Sequence, residues 1–190
     1  MKLARFSFCI PMLGLAFAAG AAWGQSIEAP GLPHLQRVSE TVYRGAQPNK
    51  LGWSSLANMG VKIVIDLRRE GESGEHSTAA EAKEVEALGM RYVHVPMKGL
   101  FAPTDAQVNK VLALMNSGEK VFVHCKKGKD RTGTVIACYR ISNQGWENRK
   151  ALKEAKSLGM HWVEFAMRSY IRDYRAPGTT AELTTPVAVQ

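Results

Sequence analysis

The apolar positions of this chain fall into two alternating rhythms. Val61-Lys62-Ile63-Val64-Ile65-Asp66-Leu67 is apolar at nearly every step, the pattern of a strand covered on both faces. Val121–His124 repeats it, and Tyr92-Val93-His94-Val95-Pro96 reads as a further strand closed by its proline. Leu35–Val38 and Thr41–Arg44 read as short strands around a Ser39-Glu40 turn. Between them the spacing changes to that of helices. These cover Asn49–Gly60, then Thr78–Leu88 closed by Gly89, then Thr104–Asn116, with Val108, Val111, Leu112 and Met115 on one face. Three more helices are predicted near 132–143, 147–158 and 161–174, and Gly71-Glu72-Ser73-Gly74 is a flexible loop. Strands alternating with helices predict an α/β domain whose central, mainly parallel sheet is flanked by helices.

The two ends of the chain fall outside this rhythm. Lys2 and Arg5 precede a stretch, Phe6 to Ala19, that is apolar apart from Ser7, and Ala22-Trp23-Gly24 offers a small-x-small cleavage site. Residues 1–24 therefore read as a secretory signal peptide, too short for a comfortable membrane span. Cys9 lies inside the apolar run rather than after it, which disfavours a lipoprotein. Residues 25–33 read as a linker, 34–175 as the domain, and 176–190 as a flexible tail. The expected location is exported, in the bacterial periplasm or outside, with no stable membrane span after cleavage.

Composition narrows the partners. The net charge of +8 falls to +6 once Lys2 and Arg5 are removed. A modest basic excess suits an anionic substrate. No long basic tract or aromatic-basic stripe supports nucleic acid. Only Cys125 and Cys138 remain after cleavage, several helical turns apart, which disfavours a disulfide. The histidines at 34, 76, 94, 124 and 161 show no metal-binding spacing, so no metal is expected.

The chemistry concentrates in His124-Cys125-Lys126-Lys127-Gly128-Lys129-Asp130-Arg131-Thr132-Gly133. The run follows the strand Val121–His124 and leads into the helix near 132–143, so it is read as a tight loop. Successive N–H groups and a helix N-terminus converge there and favour negative charge. Arg131 adds a planar fork that holds two phosphate oxygens at once. The same positive field favours the thiolate of Cys125, a nucleophile. Chance occurrence of the full set is on the order of one in ten thousand from background usage.

This loop resembles the signature of the cysteine-dependent protein tyrosine and dual-specificity phosphatase superfamily. Val42-Tyr43-Arg44-Gly45-Ala46-Gln47-Pro48 is similar to the opening strand of its small, atypical dual-specificity group, and the likeness covers roughly residues 35–175. The resemblance implies a phosphatase-type fold and a metal-independent phosphomonoester hydrolase working through a phosphocysteine, with no cofactor. Cys125 would be the nucleophile, Arg131 would hold the transferring phosphoryl group, and Thr132 would stabilise the departing thiolate, though it also suits a helix cap. Lys126, Lys127, Gly128, Lys129, Asp130 and Arg131 would line the substrate.

Two aspartates compete for the proton donor. Asp105 lies upstream, where the superfamily usually places its acid, but Thr104 or Asp105 also fits a simple helix cap. Asp130 sits inside the loop. His124 and Asp66 suit structural roles. Lys126 and Lys129 match loop lysines of members acting on phosphoinositides and inositol phosphates, and extra cations favour a substrate with several phosphates. Expected partners are therefore a phosphorylated protein, a phosphoinositide or an inositol phosphate. Alternatives are an exported phytase-like inositol-polyphosphate phosphatase, a rhodanese-like sulfurtransferase, whose loop does not predict the Arg-Thr-Gly ending, and a phosphate-binding pseudophosphatase. Lys98, Arg68 and Arg69 read as surface charges with a possible place at the rim.

Overall fold

The computed structural model describes residues 25–72, 74 and 76–177. The expected signal peptide lies outside them, as does nearly all of the expected tail. The elements run β1 (Gln25–Ser26), β2 (Gln36–Arg37), β3 (Val42–Gly45), α1 (Lys50–Asn58), β4 (Ile63–Asp66), α2 (Thr78–Ala87), β5 (Arg91–His94), α3 (Asp105–Met115), β6 (Val121–His124), α4 (Asp130–Gln144), α5 (Asn148–Ser157) and α6 (Phe165–Asp173). The strands form one sheet in the order β1-β2-β3-β6-β4-β5. β3, β6, β4 and β5 are parallel, and β1 and β2 add antiparallel pairs at one edge. The architecture is the predicted α/β one.

Period-two side-chain alternation divides the core into two layers. Ile63 and Ile65 of β4, with Val121 and Val123 of β6, pack under Val108, Val111, Leu112 and Met115 of α3 and Val135 and Ile136 of α4. Val64 and Phe122, one residue out of phase, face Trp53 and Leu56 of α1 and Val85 of α2. A third cluster joins α4, α5 and α6 through Ala137, Ala151, Leu152, Ala155 and Ile171. Burial on both faces explains why the central strands are apolar at nearly every position.

Two segments differ from expectation. Residues 25–33 are not a free linker: Gln25–Ser26 is an edge strand, the Ile27 N–H donates to the Leu35 carbonyl at 3.1 Å, and Leu32 is buried. The last helix starts at Phe165 rather than near 161, because residues 161–164 form a turn in which His161 bonds Asp130 and Glu164 bonds Leu100. β6 lies between β3 and β4, so the loop leaving its carboxyl end opens where two neighbouring parallel strands also end. Crevices at the carboxyl ends of parallel strands are the usual ligand position in such sheets. Among the described residues no helix is long and apolar enough to cross a membrane.

Candidate active site

The loop between β6 and α4 is held from behind by β3. Arg44, itself buried, donates from Nη2 to the Gly128 carbonyl at 2.6 Å, and the Gln47 N–H donates to the Lys126 carbonyl at 3.3 Å. A trans peptide unit points its N–H opposite its carbonyl. Drawing those two carbonyls backward therefore turns the N–H groups of Lys127 and Lys129 away from β3. Gly128 has φ 68°, and a Cβ there would meet the Gly45 carbonyl carbon and oxygen, so glycine is required on both conformational and steric grounds. The phrase Val42–Pro48 thus forms the rear wall of the loop.

The front of the loop is a helix N-terminus with no side-chain cap. Lys129 occupies the N-cap position, and the first helical bond runs from the Gly133 N–H to the Lys129 carbonyl at 2.9 Å. The preceding N–H groups have no intrahelical partner and suit an anion. Thr132 lies in the first turn of α4 and is not the cap; its buried hydroxyl has no hydrogen-bond partner among the described residues. Cys125 is 2% exposed at the base of the loop. Arg44 and Arg131 both lie close enough to interact electrostatically with it.

Arg131 is gripped by a residue that the sequence reading did not single out. Its Nη1 and Nη2 each lie 2.6 Å from an oxygen of Glu72, in the loop after β4. Burial alone would lower the Arg131 pKa, but the Glu72 hydrogen bonds and the Cys125 charge outweigh it and raise it. Burial likewise favours the protonated form of Glu72, yet the bonds from Arg131 hold its carboxyl below the usual range.

Behind Cys125 lies a fully buried ionic cluster. Arg68, expected as a surface charge, is 0% exposed; it bonds Asp66 and Glu81 at 2.6 Å each through Nη2. His124 Nε2 lies 2.7 Å from Glu81 Oε1, and the Tyr92 hydroxyl donates to Asp66 at 2.7 Å. Burial would raise the Asp66 carboxyl, but His124 and Arg68 overcome it and hold it near about 2. Burial pulls the His124 imidazole down, and Glu81 and Asp66 more than reverse that. Asp66, Glu81 and His124 are close enough to hold a cation, but the Arg68 guanidinium already bonds both carboxylates.

The two competing aspartates lie in different surroundings. Asp130 begins α4 beside Arg131, where its Oδ1 accepts the His161 N–H at 2.7 Å and its Oδ2 lies 2.9 Å from His161 Nδ1. Asp105 follows a Thr104–Gln107 capping box on α3, and accepts the Tyr170 hydroxyl at 2.7 Å. Its charge acts on Cys138, eight residues and roughly 12 Å along α4 from Asp130 at 1.5 Å per residue. Glu164, also overlooked in the sequence, accepts the Leu100 N–H at 2.9 Å; burial and the Asp130 charge raise its carboxyl. Lys126 and Lys127 are exposed, whereas the Lys129 stem packs against Gly159. Spacing could not have indicated Glu72, Glu164 or His161, which reach the loop only through the fold.

A family model described as "DSP-PTPase phosphatase fused to NAD+ Kinase" matches residues 30–173. The chain belongs to this dual-specificity phosphatase family. It is 32% identical over 147 residues to Dual specificity protein phosphatase TpbA of Pseudomonas aeruginosa, covering 73% of this chain and 59% of that protein. It is 30% identical over 131 residues to Phosphatidylglycerophosphatase and protein-tyrosine phosphatase 1 of Rattus norvegicus, covering 66% of this chain and 67% of the relative. A crystal structure of P. aeruginosa TpbA in complex with pTyr superimposes with a TM-score of 0.66 at 28% identity, covering 82% of this chain and 91% of that one. The chain thus spans less than two thirds of the length of TpbA.

Proposed function

We propose that the chain is a metal-independent phosphomonoester hydrolase acting through a phosphocysteine. The observation that carries this reading is the pairing of buried Cys125 with an uncapped helix N-terminus and the Arg131 fork. Cys125 attacks phosphorus as the thiolate, breaking the ester P–O bond, and the loop N–H groups with Arg131 stabilise the transferring group. Asp130 gives the leaving oxygen its proton and then takes one from the water that hydrolyses the phosphocysteine. Thr132 donates to the thiolate as it leaves. Asp130 is preferred to Asp105 because it begins α4 directly beside Arg131, whereas Asp105 stands on α3 against Tyr170. The catalytic domain spans 25–175, with the edge strand β1 and buried Leu32 included.

Substrates are phosphotyrosine, phosphoserine or phosphothreonine proteins, or phosphoinositide-like molecules. The pTyr complex of one similar protein supports the first class. The name of the other, a phosphatidylglycerophosphatase, supports a phospholipid phosphomonoester, and the exposed Lys126 and Lys127 suit the second class. An inositol-polyphosphate substrate fits the same lysines. The leader pattern of residues 1–24 supports export to the periplasm, which N-terminal sequencing of the mature protein tests.

Phosphate release from phosphotyrosine, phosphoserine, phosphoinositide and inositol-phosphate substrates tests the activity. Turnover is expected to survive chelator, to be blocked by vanadate, and to fall by roughly four orders of magnitude or more in Cys125→Ser. Asp130→Asn, and not Asp105→Asn, steepens the dependence on leaving-group pKa. Full turnover in Cys125→Ser would overturn the reading.

A further inference from the structure

Among the described residues seven large apolar side chains stand in solvent, and five of them sit on two short segments: Leu100 and Phe101, and Trp162, Val163 and Phe165. Phe101 is 62% exposed and Trp162 is 72% exposed. The Leu100 N–H on the Glu164 carboxylate, at 2.9 Å, brings the segments side by side, and the Trp162 and Phe165 rings meet edge-on at 6.0 Å. Both segments border the phosphate loop. His161, next to Trp162, holds Asp130, and Met97, close to Leu100 in sequence, offers its carbonyl to Arg131 at 3.4 Å.

Cations surround this apolar rim. Lys98 Nζ lies 5.8 Å from the centre of the Phe101 ring, Arg168 donates to the Trp162 carbonyl at 2.8 Å, and Lys126 and Lys127 are exposed on the loop itself. Two carboxylates beside the rim are already engaged, Asp130 by His161 and Glu164 by Leu100. Protein–protein interfaces are depleted in lysine. Aromatic residues interleaved with lysine and arginine are instead the composition of surfaces that rest at the boundary between headgroups and acyl chains.

We propose that this rim docks on an anionic lipid bilayer, so that the phosphate loop faces phosphomonoester headgroups displayed at the membrane surface. The proposal rests on reading the loop as a phosphatase site and adds where its substrate is met. The apolar side chains enter the interfacial layer while the lysines meet anionic headgroups, an attraction that salt weakens.

The test compares the wild-type full chain with a triple variant, Phe101→Ser, Trp162→Ser and Phe165→Ser. All three positions are exposed and lie outside the catalytic machinery. Both proteins carry the same N-terminus, so any leader contributes equally. The first measurement is co-sedimentation with phosphatidylcholine vesicles containing about a fifth phosphatidylglycerol, with and without added salt. The second is kcat/KM on a phosphatidylinositol monophosphate held in those vesicles, and on its soluble short-chain analogue. Expected is a loss of about tenfold or more in vesicle binding and in vesicle turnover, with soluble turnover changed less than about twofold. Unchanged vesicle binding in the variant would overturn the proposal. So would an equal fall on both substrates. Absence of wild-type turnover on the soluble analogue and on phosphotyrosine alike would refute the phosphatase reading instead, while co-sedimentation would still decide the docking surface.

Discussion

Arg131 and Arg140 project from the same helix, and each grips a glutamate through two of its nitrogens, yet the two pairs do different work. Arg140 and Glu154 are each 2% exposed. Arg140 also donates to the Val38 carbonyl at 3.0 Å and to Gln144 at 2.6 Å, and its guanidinium lies over Trp146. Its partner stands on α5, which packs firmly against α4. Arg131 and Glu72 are 11% and 15% exposed, and Glu72 stands on a loop. A carboxylate on a loop can adjust when an anion enters; one on a packed helix cannot. The same chemical pair is locked between packed helices in one place and carried by a loop in the other, and the difference lies in what holds the partner.

Exchanging the two arginines for alanine breaks this comparison most directly. Arg131→Ala is expected to lower kcat/KM by about a thousandfold or more while leaving the melting temperature within a few degrees. Arg140→Ala should do the reverse. It removes the Arg140 guanidinium from the buried Glu154 carboxylate and costs about 3–5 kcal/mol of stability, with kcat per folded molecule nearly unchanged. Equal effects of the two substitutions on activity would remove the distinction.

The buried cluster behind Cys125 gives the next largest effect, read by urea unfolding as a function of pH. Asp66 is held below its unfolded value of 3.8, at about 2. Its contribution is therefore full above the unfolded value and is lost as pH falls through the folded one, an effect of roughly 2 kcal/mol. His124 is raised above 6.5, so its contribution runs the other way: it is full below that value and is lost as pH rises through the higher folded one. Asp66→Asn should flatten the acid limb; an unchanged limb would mean that another carboxylate controls it.

The smallest expected effect sharpens the role of Glu72. Glu72→Gln keeps the shape but removes the charge, and should reduce kcat/KM by about tenfold through a looser Arg131, with little change in melting temperature. In the wild type the same loss should emerge as pH falls through the lowered Glu72 pKa, and the variant should lack that step.

Much of the fold was legible because it is written in local spacing. The unbroken apolar runs at 61–67 and 121–124 foretell strands covered on both sides, and the α3 stripe at Val108, Val111, Leu112 and Met115 meets the core as predicted. Where the reading missed, a distant contact overrode the local pattern. Residues 25–33 have linker composition, but backbone pairing to β2 makes an edge strand of them. Residues 161–164 continue a helical rhythm, yet His161 and Glu164 are committed to Asp130 and Leu100, and the helix begins after them. Arg68 has the look of a surface cation, and only the meeting of β4 with α2 shows that it neutralises two buried acids.

The sequence alone determined the loop: its thiol, its guanidinium, its glycine and the helix that follows, because these depend on covalent order and short-range backbone geometry. The tertiary structure decided how that loop is braced and what each charge faces. Arg44 reaches Gly128 across 84 residues, Glu72 reaches Arg131 across 59, and His161 reaches Asp130 across 31. Such pairings arise from the stacking of strands and helices into one core, and a one-dimensional pattern of residue types carries no distance between them.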